Sequence, residues 1–527
     1  MIIVYNANIF GSEQHSALVV DENKIVALGS NKSMLDEYGK NADCINLHGK
    51  TIWPGLTDSH IHLGLLAHSL RIVDCETKTL QECLDRISEH VIQYSENSWI
   101  EGHGWNQNEW KDSHFGTAEQ LDLVTGDRPA YLTAKSLHAA WVNSKALRLA
   151  QIDKNTSDPV GGVIMRDNRG NPTGILLESA MNLVEKIIPK SSPSRLLEDL
   201  LLAQQHLWKI GITGIHDYDG PEVFHALQVL LKSEKLNLRV QKNFPVSELD
   251  HLISVGLCSG FGNDLLHTGS IKLFADGALG PQTAALIDPY EDSNSIGILL
   301  ISKQELFDVG RKAVENGWGL TIHAIGDMAN RVVLDGLSDL REFEKSRNIP
   351  HHPHRIEHAQ LVHPDDQSRF NSLGVIASVQ PIHCTSDMIN VDKYWGNRAL
   401  NAYPFRNLLD LHTHMVFGSD APVESANPFY GIHAAVTRMR QDGQPNADGW
   451  QPSQRIQLRE AVDAYTINSA ALSGMANRCG KLRPGYYADL IILPTDPFNV
   501  EEQDLFKIKP DLTMVNGKIV YKSPEFE

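Results

Sequence analysis

An α/β fold built on a (β/α)8 TIM barrel is what this sequence predicts, on three observations. Between residues 52 and 419, eight short apolar or β-branched runs occur, with helix-like segments between most of them, the rhythm of a closed parallel barrel. Several of these runs end at or next to a metal-capable or titratable side chain, as strands do when they deliver ligands to one rim. Both chain ends also carry short strand-like runs, which predicts a small β-sandwich formed from the two ends together.

Taken in order, residues 1–55 read as short strands with turns, among them 16–20, the polar turn 21–24, 25–28 and 51–53. A similar pattern returns at 488–493 and 512–521, where Asn516-Gly517 separates two β-rich runs as a hairpin turn does. The domain reading is therefore a discontinuous sandwich, 1–55 plus 480–527, with a barrel domain, 56–479, inserted between its parts. The eight barrel strands are expected at 52–59, 214–218, 238–243, 270–275, 319–324, 354–358, 375–380 and 415–419, with helices such as 193–210 and 303–316 between them. About 150 residues separate the first strand from the second. A structureless loop of that length is implausible in a compact domain, so residues from about 70 to 185 are expected to form an insertion with elements of its own.

Composition narrows the function class. The 47 basic and 65 acidic residues leave a net charge of −18, which argues against a nucleic-acid or anionic-membrane partner. No run of 18 or more apolar residues occurs, so no membrane span is expected. The first ten residues lack a basic n-region and a small-residue cleavage site and read as a first strand. Six scattered cysteines without CxxC pairs fit a reducing cytoplasm. Cys384 lies near candidate site residues and reads as an inert thiol, since no basic partner is evident.

The chemistry concentrates in Thr57-Asp58-Ser59-His60-Ile61-His62-Leu63-Gly64. Residues two apart on a strand share a face, so His60 and His62 can reach one metal ion. Downstream, Lys272, Asp276, His323, His358 and Asp420 each stand at or near the end of a strand-like run.

These motifs carry a resemblance. Pro54 to His62, Lys272 to Gly280, His323-Ala324-Ile325-Gly326-Asp327, Arg355-Ile356-Glu357-His358-Ala359, Gly418 to Val423 and the C-terminal Arg483 to Leu490 are similar to metal-dependent hydrolases of the amidohydrolase superfamily. The branch they resemble is that of the YtcJ-like proteins and N-substituted formamide deformylases, over nearly the whole chain. The resemblance implies a binuclear zinc centre, with manganese or iron not excluded. His60 and His62 would hold the more buried ion and His323 and His358 the second. Lys272 would bridge both as a carbamate; a lysine salt-bridged to Asp276 or Asp420, or a single-metal site, is the competing reading. Asp420 would serve as ligand and as general base, taking a proton from water and passing it to the leaving amine.

Outside that shell, His383 in Gln380-Pro381-Ile382-His383 could contact the substrate carbonyl, and Trp105 and His138 in the insertion could wall the pocket. Relatives often carry Asp-Gly before a histidine like His138, whereas this chain has Ser136-Leu137. Asp276 and Gly277 read as shaping the loop after the fourth strand, and His351-His352-Pro353-His354 as a solvated loop. The expected partner is a small-molecule substrate, and the resemblance leaves room for a homo-oligomer. The expected reaction is hydrolysis of a non-peptide carbon–nitrogen bond in an amide, N-acyl or N-formyl compound. Cyclic-amide hydrolysis, deamination, ester or phosphoester hydrolysis, and a non-catalytic small-molecule binding relative are the rivals.

Overall fold

The computed structural model describes residues 1–93, 99–107, 110, 114–134, 139–189, 192–280, 282–291 and 293–526. The chain divides into two compact units, unit 1 comprising Met1–Ala67 and Leu196–Glu527, and unit 2 comprising His68–Arg195.

Eight strands run through the centre of unit 1: Leu56–Ile61, Ile212–Asp217, Arg239–Pro245, Leu266–Phe274, Leu320–Ala324, His354–His358, Val375–Val379 and Met415–Phe417. Each is hydrogen-bonded in parallel to the next in sequence. Ile61 and Ala421 bridge the last strand back to the first, and the amide of His62 donates to the Ala421 carbonyl at 2.9 Å. The result is an eight-stranded parallel barrel. Its strands are buried on both faces, which explains why they read as near-continuous apolar or β-branched runs rather than alternating ones. Helices such as Lys303–Glu315 and Asp327–Arg347 lie between successive strands. The first begins with a capping box in which Ser302 and Glu305 satisfy each other's backbone amides.

The first barrel strand differs from its sequence expectation. Residues 52–59 are not one strand: Thr51–Pro54 pairs with Asn8–Ile9 and Leu490–Leu493, and the barrel strand starts only at Leu56. A Cβ at Gly55 would fall 2.2 Å from Oγ1 of Thr213, so only glycine lets the chain pass from one sheet to the other there.

Two sheets come from the chain ends. One has four strands, Lys24–Gly29, Ala17–Asp21, Ile2–Tyr5 and Asp43–Asn46; the other has five, Asn8–Ile9, Thr51–Pro54, Leu490–Leu493, Leu512–Val515 and Lys518–Lys522. One buried cluster joins them, with Val4 and Leu18 from the first and Ile52, Leu490 and Met514 from the second. Asn516 and Gly517 both have positive φ, 51° and 76°, and turn the last hairpin.

Unit 2 has a six-stranded sheet in the order Gly162–Arg166, Pro172–Glu178, Ala139–Val142, Ala130–Ala134, Ile100–Trp105 and Val73–Asp74. Helices Leu80–Gln93, Ala118–Thr125 and Ser144–Leu149 accompany it.

Candidate metal centre

In the barrel, His60 is the penultimate residue of the first strand and His62 follows that strand directly. Their Nε2 atoms approach the same oxygen, Oδ1 of Asp420, at 3.4 and 3.5 Å. Their Nδ1 atoms face other carboxylates: His60 meets Oε2 of Glu357 at 2.6 Å and His62 meets Oδ1 of Asp219 at 3.2 Å. Each ring is thus oriented by a carboxylate on one side, which leaves the opposite nitrogen for a metal ion.

His358 ends the sixth strand and His323 lies near the end of the fifth, with ring centroids 4.5 Å apart. Nε2 of His323 donates to the Gly277 carbonyl at 2.9 Å, which leaves Nδ1 as its ligand atom. His383 stacks on His358 with centroids 5.9 Å apart. Nδ1 of His358 and Nε2 of His383 are buried without a hydrogen-bond partner, the kind of orphaned donor set that a bound ion satisfies. Among the described residues, two groups can converge on a metal ion: His60, His62 and Asp420, and His358, His383 and Asp420. The second group contains His383, a contact expected for substrate, and not His323.

Asp420 and His358 both have left-handed backbones, with φ of 61° and 70°. Such conformations are uncommon for residues other than glycine and cluster at functional sites. Asp58 pins the first and eighth strands by accepting from the amides of His60 and Ser419, each at 3.0 Å, and from the Ser419 hydroxyl at 2.5 Å.

The electrostatics suit a cation. Burial works against ionisation of Asp420, but His60, His62, His358 and His383 around it hold the carboxyl well below its usual range. Burial also opposes protonation of His62, yet Asp219 and Asp420 carry it up to about 9. His323 is pushed down to about 4 by burial, with Lys272 adding to the effect, and burial holds His358 well below the usual imidazole range. Lys272 is buried, with Nζ 4.8 Å from the Tyr218 ring centroid, and burial brings it down to about 8 against the pull of Glu357 and Asp420. A lysine so placed is neutral more often than one in water, which is the form able to react with carbon dioxide.

Several participants escaped the sequence reading. Glu357 receives His60, the Tyr218 hydroxyl at 2.8 Å and Nε of Arg355 at 3.1 Å. Asp219 supports His62 from the loop after the second strand. The available signal was Arg355 and Glu357 two apart within a strand, a charged pair facing the inside of a barrel. Asp276 accepts from the amides of Ala285, Ile325 and Gly326 at 2.8 to 3.0 Å, so it does shape the loops.

Other expected residues fare differently. Trp105 is 1% exposed, its indole N–H donates to the Leu132 carbonyl at 2.8 Å, and it packs on Trp110 and Phe115. Those are the surroundings of a core residue of unit 2, not of a pocket wall. His138 lies outside the described residues. His354 is not in a solvated loop: it is fully buried, accepts the Leu320 amide on Nδ1 at 3.0 Å and meets Glu344 on Nε2 at 3.2 Å. Cys384 is buried, which pushes its thiol up to about 11 and away from nucleophilic use.

Comparison with known proteins adds an independent line. Residues 43–521 match the model of a family described as Amidohydrolase family. The chain is 32% identical over 520 residues to the putative amidohydrolase YtcJ of Bacillus subtilis, covering 97% of this chain and 96% of that one. It is 28% identical over 555 residues to the N-substituted formamide deformylase of Arthrobacter pascens, covering 99% and 98%. Among solved structures, an uncharacterized metal-dependent hydrolase from Pyrococcus furiosus superposes with a TM-score of 0.77 at 30% identity, covering 94% of this chain and 99% of that one.

Proposed function

The chain belongs to the amidohydrolase family, and from that premise we propose that it is a metal-dependent hydrolase cleaving a non-peptide carbon–nitrogen bond in a small amide, N-acyl or N-formyl compound. The observation that carries this reading is the convergence of His60, His62 and Asp420 on one point, with a carboxylate behind each imidazole. The similarity to a formamide deformylase supports the bond type.

His60, His62 and Asp420 would hold one divalent cation, and His323 and His358 a second. The neutral-leaning Lys272 would stand between them as a carbamate. The grouping of His383 with His358 and Asp420 supports a place for His383 close to the second ion. The nitrogen and oxygen donors suit zinc, without excluding manganese or iron. When bound, such an ion polarises the scissile carbonyl and acidifies water.

The residues themselves do the rest. Asp420, ionised across the neutral range, accepts the proton of the attacking water at a carboxylate oxygen and returns it to the leaving nitrogen. Glu357 and Asp219 keep the two imidazoles in one tautomer and one orientation. His383, on the helix that follows the seventh strand, would donate to the substrate carbonyl in a role separate from the proton transfer.

The same reading treats the two terminal sheets as a β-sandwich, 1–55 plus 480–527, framing a barrel domain of 56–479 with an insertion at about 70–185. The shared cluster of Val4, Leu18, Ile52, Leu490 and Met514 supports it. Six free thiols support a cytoplasmic location. Among the described residues no helix is long and apolar enough to cross a membrane.

The deciding experiment measures hydrolysis of N-formyl, N-acyl, cyclic-amide and ester substrates by the zinc- and manganese-loaded protein, with Asp420→Asn as control. Turnover of an amide class that the control loses is the expected result. Turnover of esters alone, or of no class at full metal occupancy, would overturn the bond assignment.

A further inference from the structure

The fourth barrel strand is buried along its length except at its last residue: Leu266 to Leu273 are all buried, and Phe274 is 52% exposed. Residues two apart on a strand share a face, so Phe274 stands on the same side as Lys272, about 7 Å further along the strand toward the rim of the barrel. Nζ of Lys272 lies 5.1 Å from the Phe274 ring centroid, and that ring lies 5.3 Å from the ring of His323. Phe274 therefore abuts candidate metal-ligating groups on one side and faces water with the rest of its ring.

The chain continues this apolar surface. In the segment between the fourth strand and the next helix, Ile296, Ile298, Leu299 and Leu300 are each 41% to 58% exposed. Scattered exposed apolar side chains are ordinary, whereas a contiguous row marks a place where something binds. The row is fixed by its backbone. The Leu300 amide donates to the Ala275 carbonyl at 2.8 Å, Leu299 bridges Asp276, and the Ile298 amide donates to the Thr283 carbonyl at 3.1 Å. Leu300 is thereby held beside the end of the strand that carries Phe274. Because the surface begins at the His323 ring, whatever covers Phe274 also lies against the metal centre, which makes the substrate of that centre its occupant.

Resting on the hydrolase reading, we propose that the substrate carries a hydrocarbon group, alkyl or aryl, adjoining its scissile amide, and that Phe274 is the specificity-determining residue that receives it. Leu300 and its neighbours extend the contact for longer groups. A hydroxyl or carboxylate in that place would lose water against the phenyl ring with no hydrogen-bond partner in return. A hydrocarbon group removes apolar surface of both partners from water, and the gain grows with its length.

The test is independent of turnover. Two sets of zinc-binding probes are titrated calorimetrically into the zinc-loaded protein, with chains from methyl to octyl. Alkanehydroxamic acids carry the chain on the acyl carbon, and N-alkyl-N-hydroxyformamides carry it on nitrogen. In at least one set Kd should fall roughly three- to fourfold per methylene, and the set that does so gives the side of the amide on which the group lies. Phe274→Ser should reduce that step to below about twofold, with zinc content and thermal midpoint measured on the same variant. Should Phe274→Ser fail to fold, Leu300→Ser at an exposed loop position carries the test, and it should flatten the step between hexyl and octyl. A Kd independent of chain length in both sets, or a steep series that Phe274→Ser leaves unchanged, would overturn the proposal and leave the metal centre standing. Absence of binding by every probe at full zinc occupancy would instead remove the hydrolase reading, and the proposal with it.

Discussion

Nδ1 of His60 and Oε2 of Glu357 lie 2.6 Å apart with both side chains buried, although 297 residues separate them in sequence. Burial opposes ionisation of Glu357, but His60, Arg355 and Lys272 hold its carboxyl well below the usual range. A carboxylate behind a ligating imidazole fixes the tautomer and raises ligand basicity. Glu357→Gln should therefore weaken zinc binding by roughly 10- to 100-fold, measured by competition with a chelator. Unaltered affinity would show that Glu357 has no part in orienting His60.

The pairing of His62 with Asp219 sets a pH dependence. Without metal, His62 is protonated below about 9, so an ion must displace a proton and its affinity rises with pH up to that point. Asp219→Asn removes the main support for the charge and lowers the His62 pKa. The slope of log affinity between pH 7 and 9 should flatten in the variant. Parallel profiles for the two proteins would refute the assignment.

Asp420→Asn should lower turnover by roughly 100-fold or more while the fold persists. Comparison of kcat with the thermal midpoint separates lost chemistry from lost structure. A variant that keeps its rate removes Asp420 as the base.

Gly418 sits where the eighth strand closes on the first, and a Cβ there would come within 2.5 Å of the His60 amide nitrogen. Backbone cannot yield as a flexible side chain can. Gly418→Ala should cost about 1–3 kcal/mol, read as a lower thermal midpoint, together with weaker metal binding because His60 moves.

His354 offers a test away from the centre. Burial pushes it down to about 4 from its ordinary value near 6.5. Between those values the unfolded chain binds the proton and the folded one does not, so stability falls as the pH drops through that window. The lost stability is on the order of 3 kcal/mol. His354→Asn should destabilise at pH 7 and narrow its gap to the unmodified protein by pH 4.5, in denaturant titrations at both values. A constant gap would argue that His354 is not held neutral.

How far the site was legible depended on whether its signal was local. The HxH pair and the strand ends at His323, His358 and Asp420 stand out because strand periodicity places them without tertiary information. His383 was legible as a loop histidine near the seventh strand, yet its approach to His358 required the fold. Trp105 and His354 misled the reading because an aromatic beside histidines, or a histidine tract, has the same composition in a pocket, a loop or a core. The run 52–59 was misjudged because hydrophobicity continues across Gly55, while the sheet partner changes there.

By itself the sequence determined the succession of strand-like runs with helices between most of them, the residues at the strand ends and the hairpin at Asn516-Gly517, all properties of a few consecutive residues. Only the tertiary structure decided which carboxylate stands behind which imidazole, Glu357 for His60 and Asp219 for His62, and which carbonyl orients His323. The physical reason is range. Side-chain periodicity is fixed by the dihedrals of neighbouring residues, whereas a hydrogen bond needs two atoms within about 3 Å, and closing the barrel is what brings them there from 46 to 297 residues apart.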